Sequence, residues 1–202
     1  GFSSYGPSSD GQVKPAVAAV GVNAVVADAG SGQPAFSSGT SFACPNMAGL
    51  STCLWQAFPE SNNMGIITAL EESSTQFATP DDRKGYGIPD MKKAFVILLK
   101  RYYTREIKQA GCNTLIKWTA KSSGNMNFVV ERKLPTDADY VAIQTISGAG
   151  DVANDTFNFS DDLSGFATPI SIDYRIKMNI DTDTSFYFTP VTINHSNACN
   201  TY

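Results

Sequence analysis

Apolar and polar positions divide this chain into two halves with different periods. Residues 13–27 are rich in Val and Ala, broken by Pro15 and Gly21, and the piece 24–27 predicts a short buried strand. Gly, Ser and Ala dominate residues 28–40 around Gln33-Pro34, which predicts a loop. From 41 to 57 the text is continuous, small and uncharged, the mark of a buried helix. Pro45 is tolerated in its first turn, where backbone N–H groups have no intrahelical partner, and Pro59 ends it.

A second helix is predicted from Ser61 or Asn62 to about Thr75, with Ile66, Ile67 and Leu70 on one face and Glu71 and Glu72 on another. A turn-rich link follows, with Pro80, Asp81, Asp82, Gly85 and Gly87, and Asp90 then caps a third helix striped by Met91, Ala94, Phe95 and Leu98. After about Gln109 helical spacing gives way to short segments rich in β-branched and aromatic residues: 114–119, 127–133, 140–147, 156–159, 171–180 and 185–193. In Tyr174-Arg175-Ile176-Lys177-Met178 the apolar residues share one face and the charged ones the other, as a half-buried strand requires. Clusters of Gly, Asn, Asp and Pro at these intervals predict an antiparallel sandwich of about seven strands. The junction between the halves is expected within 101–109.

Composition narrows the function. A net charge of -4 with no cluster of Lys and Arg excludes a phosphate-binding surface, so no nucleic-acid partner is expected. The longest apolar run, 94–99, is far short of the ~20 residues that a membrane helix needs. The chain opens without methionine or a basic-then-apolar leader, so any secretory signal is expected upstream. Cys44, Cys53, Cys112 and Cys199 are neither closely paired nor matched with histidines, which leaves no zinc pattern. Cys112 and Cys199 bracket the second half, where a disulfide would tie the ends of one domain in an oxidising compartment.

Candidate chemistry centres on Gly39-Thr40-Ser41-Phe42-Ala43-Cys44-Pro45, a hydroxyl between a glycine-bearing loop and the start of a helix. A serine there is exposed, keeps a free backbone N–H, and sits at the helix end that favours a developing oxyanion. On placement alone the commoner role of Ser41 or Thr40 is an N-cap. Cys44 reads as a small buried side chain, and the acid pairs Asp81-Asp82 and Asp161-Asp162 as solvated turn residues.

The segment Gly39 to Pro45 resembles the nucleophile motif Gly-Thr-Ser-x-Ala-x-Pro of the subtilases, the subtilisin-like serine proteases. Upstream, Phe2-Ser3-Ser4-Tyr5-Gly6-Pro7 and Asp10-Gly11-Gln12-Val13-Lys14-Pro15 are similar to that family's Phe-Ser-Ser-x-Gly-Pro and Lys-Pro-Asp-Val stretches, in the same order. Downstream, Gly85-Tyr86-Gly87-Ile88-Pro89-Asp90 followed by Ala94 resembles the turn and helix that close the subtilase domain. Ala16 stands where the family usually has Asp, and Val20 where it commonly has Pro; neither is a triad position. The second half resembles, through Phe128-Val129-Val130-Glu131-Arg132 and Asp173-Tyr174-Arg175-Ile176-Lys177, fibronectin-III-like modules of Bacteroidetes enzymes.

The resemblance implies Ser41 as nucleophile, with its own N–H in the oxyanion hole and Gly39 and Thr40 shaping the approach. It implies polypeptide substrates, no cofactor in this chain (calcium elsewhere in the parent protein stays open), and a secreted or cell-surface location. The family's catalytic Asp, His and oxyanion Asn precede its Ser, so all three are expected before Gly1. The sole histidine, His195, lies in a polar stretch near the C-terminus and is not expected to substitute. The expected fold is an α/β fragment, mostly helical, over 1–105, plus an all-β sandwich over 106–202. The expected function is the C-terminal portion of a serine endopeptidase, inactive by itself, with a non-catalytic binding or structural protein as the rival. Loop 29–36 is expected to border the substrate groove. The apolar helix 41–57 is expected to be covered by a second copy, by repacking, or by more of the parent protein.

Overall fold

A computed structural model describes residues 2–150, 152–166 and 169–196. It divides into two compact units, Gly1–Leu98 and Leu99–Tyr202. The first carries strands β1 (Ala24–Ala27) and β2 (Pro34–Ser37), then helices α1 (Thr40–Ala57), α2 (Asn63–Ser73) and α3 (Met91–Tyr102), the last continuing past Leu98. β1 and β2 pair antiparallel, Val25 opposite Phe36. The turn between them is closed by Asp28, whose carboxylate accepts the Ser31 N–H at 2.8 Å and hydroxyl at 2.6 Å. The capping signals act where the sequence places them. Asn62 Oδ1 accepts the N–H of Gly65 at 2.8 Å, and Asp90 Oδ1 that of Lys93 at 3.0 Å, each satisfying an orphan donor of the first turn.

Apart from Ala24 of β1, the buried apolar residues of this unit are Leu54 and Phe58 at the C-terminal end of α1, Ile66, Ala69 and Leu70 of α2, and Ala94 and Leu98 of α3. Phe58 and Phe95 pack edge to face, with ring centroids 5.2 Å apart. The turn-rich link is held by backbone bonds to the segment 15–18: Tyr86 N–H donates to Ala16 O and Ala18 N–H to Gly87 O, both at 2.8 Å. This contact leaves no room for a side chain at Gly85, whose φ is +62° and whose Cβ would stand 1.7 Å from Pro15 O.

The second unit is built from β3 (Thr104–Ala110), β4 (Asn113–Ser122), β5 (Asn127–Lys133), β6 (Val141–Ser147), β7 (Ala153–Asp162), β8 (Ile170–Asn179), β9 (Ser185–Tyr187) and β10 (Val191–His195). One sheet has the order β3-β4-β7; the other runs β10-β8-β5-β6, with β9 also on β8, and all pairings are antiparallel. Alternation places Trp118 and Phe157 on the buried face of the first sheet and Phe128, Tyr174 and Ile176 on that of the second. The faces meet at three rings: Trp118 lies 5.4 Å from Phe157 and 5.6 Å from Phe128 between centroids, and Phe128 lies 4.6 Å from Phe157.

The expected fold class needs correction. Strand exceeds helix, 36% against 21%, in three sheets, so the chain is not a mostly helical fragment joined to one sandwich. The loop 28–40 contains β2, and the expected junction 101–109 is the end of α3 followed by β3. β3 escapes an apolar-pattern reading because Ile107 is its one buried residue. Its other half-buried positions are polar and bonded, Arg105 Nε to Thr189 O and Gln109 Nε2 to His195 Nδ1 at 2.8 Å. The segment 185–193 splits into β9 and β10 around Pro190, which has no N–H to donate.

Two side-chain readings are also corrected. Asp161 is not a solvated turn residue: it falls on the buried face of β7 in phase with Phe157. There it receives Arg132 Nη1 at 2.8 and 3.0 Å and the Tyr174 hydroxyl at 2.7 Å. Cys44 is exposed rather than buried. The proposed partner of Cys112, Cys199, lies outside the described residues.

Candidate functional site

Ser41 is the second residue of α1, whose N-cap is Gly39 in extended conformation with no side-chain cap bond. Neither Thr40 nor Ser41 therefore caps the helix. The Ser41 side chain is exposed, and no hydrogen bond joins its hydroxyl to another described residue. Its backbone N–H belongs to the first turn, which has no intrahelical acceptor to offer it. Hydroxyl, free amide and the positive end of an 18-residue helix thus converge at one exposed point.

That point is fixed from both sides. Gly39 N–H donates to Gly21 O at 2.7 Å, and Asn46 Nδ2 reaches Val20 O at 3.3 Å. Ser38 Oγ accepts the N–H of Asn23, a residue held at φ 53°. Gly21 is required by this approach, since a Cβ there would lie 2.9 Å from Gly39 O and 3.3 Å from Ala43 Cβ. The segments singled out in the sequence are assembled around this frame. Gly6 N–H donates to Asp82 O at 2.8 Å, and the Gly85-Tyr86-Gly87 turn docks on residues 16–18. Ala16 takes part through its carbonyl, a role that the loss of an Asp side chain leaves intact.

A groove of about 730 Å³ opens beside the N-terminal half of α1, lined among others by Pro15, Val17, Val22, Thr40, Ala43 and Met47. Its walls come from 2–3, 15–22, α1 and Arg83, and loop 29–36 does not contribute to them. α1 was expected to be buried, yet among its described residues only Leu54 is; Leu50 and Trp55 are each 43% exposed. The physical reason is local: α2 and α3 cover only the last turns of a helix that is apolar on more than one side.

Two carboxylates of this unit are engaged in closing turns. Asp28 is held below the usual carboxylate range first by the Ser31 hydroxyl and then by the Ser31 amide. Asp81 is lowered chiefly by the Lys84 backbone amide, so both carboxylates are ionised turn closures. His195 is buried in the second unit, where its Nδ1 is bonded to Gln109 Nε2. Among the described residues no group of three His, Cys, Asp or Glu side chains is placed to hold a metal ion. Sequence reasoning missed the groove along 15–22, because its lining is small and apolar and carries no pattern of its own.

Residues 1–87 match the model of the Subtilase family, a stretch that includes Gly39, Thr40 and Ser41 and covers less than half of the 202-residue chain. The match relates this part of the chain to serine peptidases. It ends before the second unit, and the expected kinship of residues 106–202 with fibronectin-III-like modules gains no support from it. No curated protein matches the chain.

Proposed function

We propose that this chain is a portion of a subtilisin-like serine endopeptidase in which Ser41 is the nucleophile. The observation that carries the reading is an exposed, unengaged serine in the first turn of α1, inside the stretch that matches the subtilase family. In the reaction, Ser41 Oγ attacks the scissile carbonyl carbon as its proton passes to an imidazole. The oxyanion is received by the Ser41 N–H and a second donor, and the amine leaves with the proton. Water then cleaves the acyl ester by the same route in reverse. Gly39 and Thr40 shape the approach, and the apolar groove beside Thr40 accepts part of an extended polypeptide.

The imidazole, its carboxylate partner and the second oxyanion donor come from sequence preceding Gly1, in the family's chain order. Without them the hydroxyl is a poor nucleophile, and the isolated chain turns over about a millionfold more slowly than the complete enzyme. This route needs no cofactor. The parent protein works outside the cell or at its surface, and its remaining catalytic residues, or failing those a second copy, cover the exposed side of α1.

Fluorophosphonate labelling with mass-spectrometric mapping tests the reading on this chain and on a version extended upstream. The expected result is label at Ser41 in the extended protein alone, abolished by Ser41→Ala. A folded extended protein that takes no label overturns it and favours a non-catalytic binding role.

A further inference from the structure

On the outward face of the larger sheet in the second unit, two aromatic rings hold an arginine between them. Arg175 lies on β8, and its guanidinium stands between Tyr140 and Tyr187, with Cζ 3.8 Å from the first ring centroid and 4.0 Å from the second. The rings reach it from opposite sides of the strand: Tyr140 immediately precedes β6, beyond β5, and Tyr187 ends β9. Arg175 Nε donates to Glu131 Oε2 at 2.6 Å on the neighbouring β5, a side chain only 12% exposed. Nη1 and Nη2 have no hydrogen-bond acceptor among the described residues, and neither is buried. Stacking and the Nε bond therefore fix the plane of the fork while its outer donors stay open, so little side-chain freedom remains to be lost when a ligand uses them.

We propose that this face binds an extended acidic peptide with carboxylates at alternate residues, one on the Arg175 fork and the next on Lys177. A planar carboxylate matches the two outer donors of a guanidinium bidentately. Lys177 lies two residues further along β8 on the same face, about 7 Å away at the rise of a strand. Its Nζ stands 5.8 Å from the Tyr187 ring, and it forms no ion pair with a described residue. Because Glu131 is already spent on Arg175, Lys177 supplies the uncompensated positive charge. In the other direction along β8 stands Asp173, which accepts the Thr192 hydroxyl at 2.6 Å and repels a second carboxylate placed there. The spacing from Arg175 to Lys177 is that of side chains on one face of an extended chain, so Glu-x-Glu presents both carboxylates together, whereas Glu-Glu turns the second one away. Tyr187, 46% exposed, gives the intervening residue a surface to rest on. The proposal concerns the second unit alone and requires nothing of Ser41.

The test is fluorescence anisotropy of a dye-labelled Ser-Glu-Ser-Glu-Ser peptide titrated with the full chain. The controls are its Gln counterpart, the equally charged Ser-Ser-Glu-Glu-Ser peptide, and trigalacturonate as an acidic sugar. Saturable binding of the alternating peptide is expected, weakened by salt and about tenfold weaker for the Gln counterpart. Arg175→Lys keeps the charge but removes the fork, and is expected to weaken binding about tenfold; Lys177→Gln is expected to weaken it about threefold. Lys177 donates no side-chain hydrogen bond to a described residue, so its substitution reads binding without disturbing the fold, and unchanged circular dichroism checks both variants. Absence of saturable binding by the alternating peptide overturns the proposal. So does equal affinity for the Gln or the adjacent-Glu peptide, and so does binding indifferent to both substitutions. Trigalacturonate bound in place of the peptide, and lost with Arg175→Lys, overturns the peptide reading and assigns the fork to a sugar carboxylate.

Discussion

Ser41 owes its availability to a neighbour that does nothing chemical. Gly39 caps α1 without a side chain, and its amide is anchored on Gly21 O, so no hydroxyl is spent on the helix end. Gly21→Ala is expected to cost about 1–3 kcal/mol by pushing Gly39 and Ala43 away from residue 21. Urea unfolding with hydrogen exchange at the Gly39 amide reads both the loss and its location. A second residue-scale expectation concerns pH. Burial, and then the hydrogen bond to Asp161, raise the Tyr174 phenol above its ordinary value of 10.0. A raised pKa favours the protonated form in the fold, so this stability is complete below pH 10.0 and is lost as pH rises toward the folded value. Tyr174→Phe should flatten the fall in urea midpoint between pH 9 and 11 while lowering the midpoint at pH 8 by removing a buried bond.

At the scale of elements, α1 separates what hydrophobicity predicts from what packing delivers. Its uncharged sequence marks a buried helix, but only the stripe through Leu54 is covered by α2 and α3. Leu54→Ala is expected to cost about 2–5 kcal/mol, because a cavity opens in the small cluster around Phe58. Leu50→Glu, on the exposed side, should change stability by no more than about 0.5 kcal/mol. It should also reduce binding of a hydrophobic dye, and thermal melts with dye titration distinguish the two. β3 shows the converse: its polar inward positions are satisfied by Thr189 and His195, partners more than 80 residues away in sequence. No local pattern can announce a strand whose buried face is polar and paired across the fold.

Across the whole molecule the two units differ in how much they bury. Among the described residues, eight of the buried hydrophobic side chains lie in 1–98 and sixteen in 99–202. Twelve of the sixteen exposed large hydrophobic residues fall in the first unit. Hydrogen exchange read by mass spectrometry should therefore show α1 and the β1–β2 hairpin exchanging well before β4, β5 and β8. Equal protection in both units would mean that the first is covered by something more in solution. No described helix is long and apolar enough to cross a membrane, so these exposed residues do not belong to a spanning helix.

Helix positions, their caps at Asn62 and Asp90, most strand segments and the serine motif were legible in the chain, because each depends on residues within a turn or two of one another. The nearness of Gly21 to Gly39, the docking of Gly85 on Pro15 and the groove between them were not, since they arise where distant backbone segments meet and leave only isolated glycines as a trace. The burial of Asp161 and the polar inward face of β3 were hidden for a related reason: a polar residue reads as exposed until the fold supplies its partner. Local chemistry was decided by sequence; which surfaces are covered was decided by tertiary packing, because burial is a property of neighbours that sequence does not place.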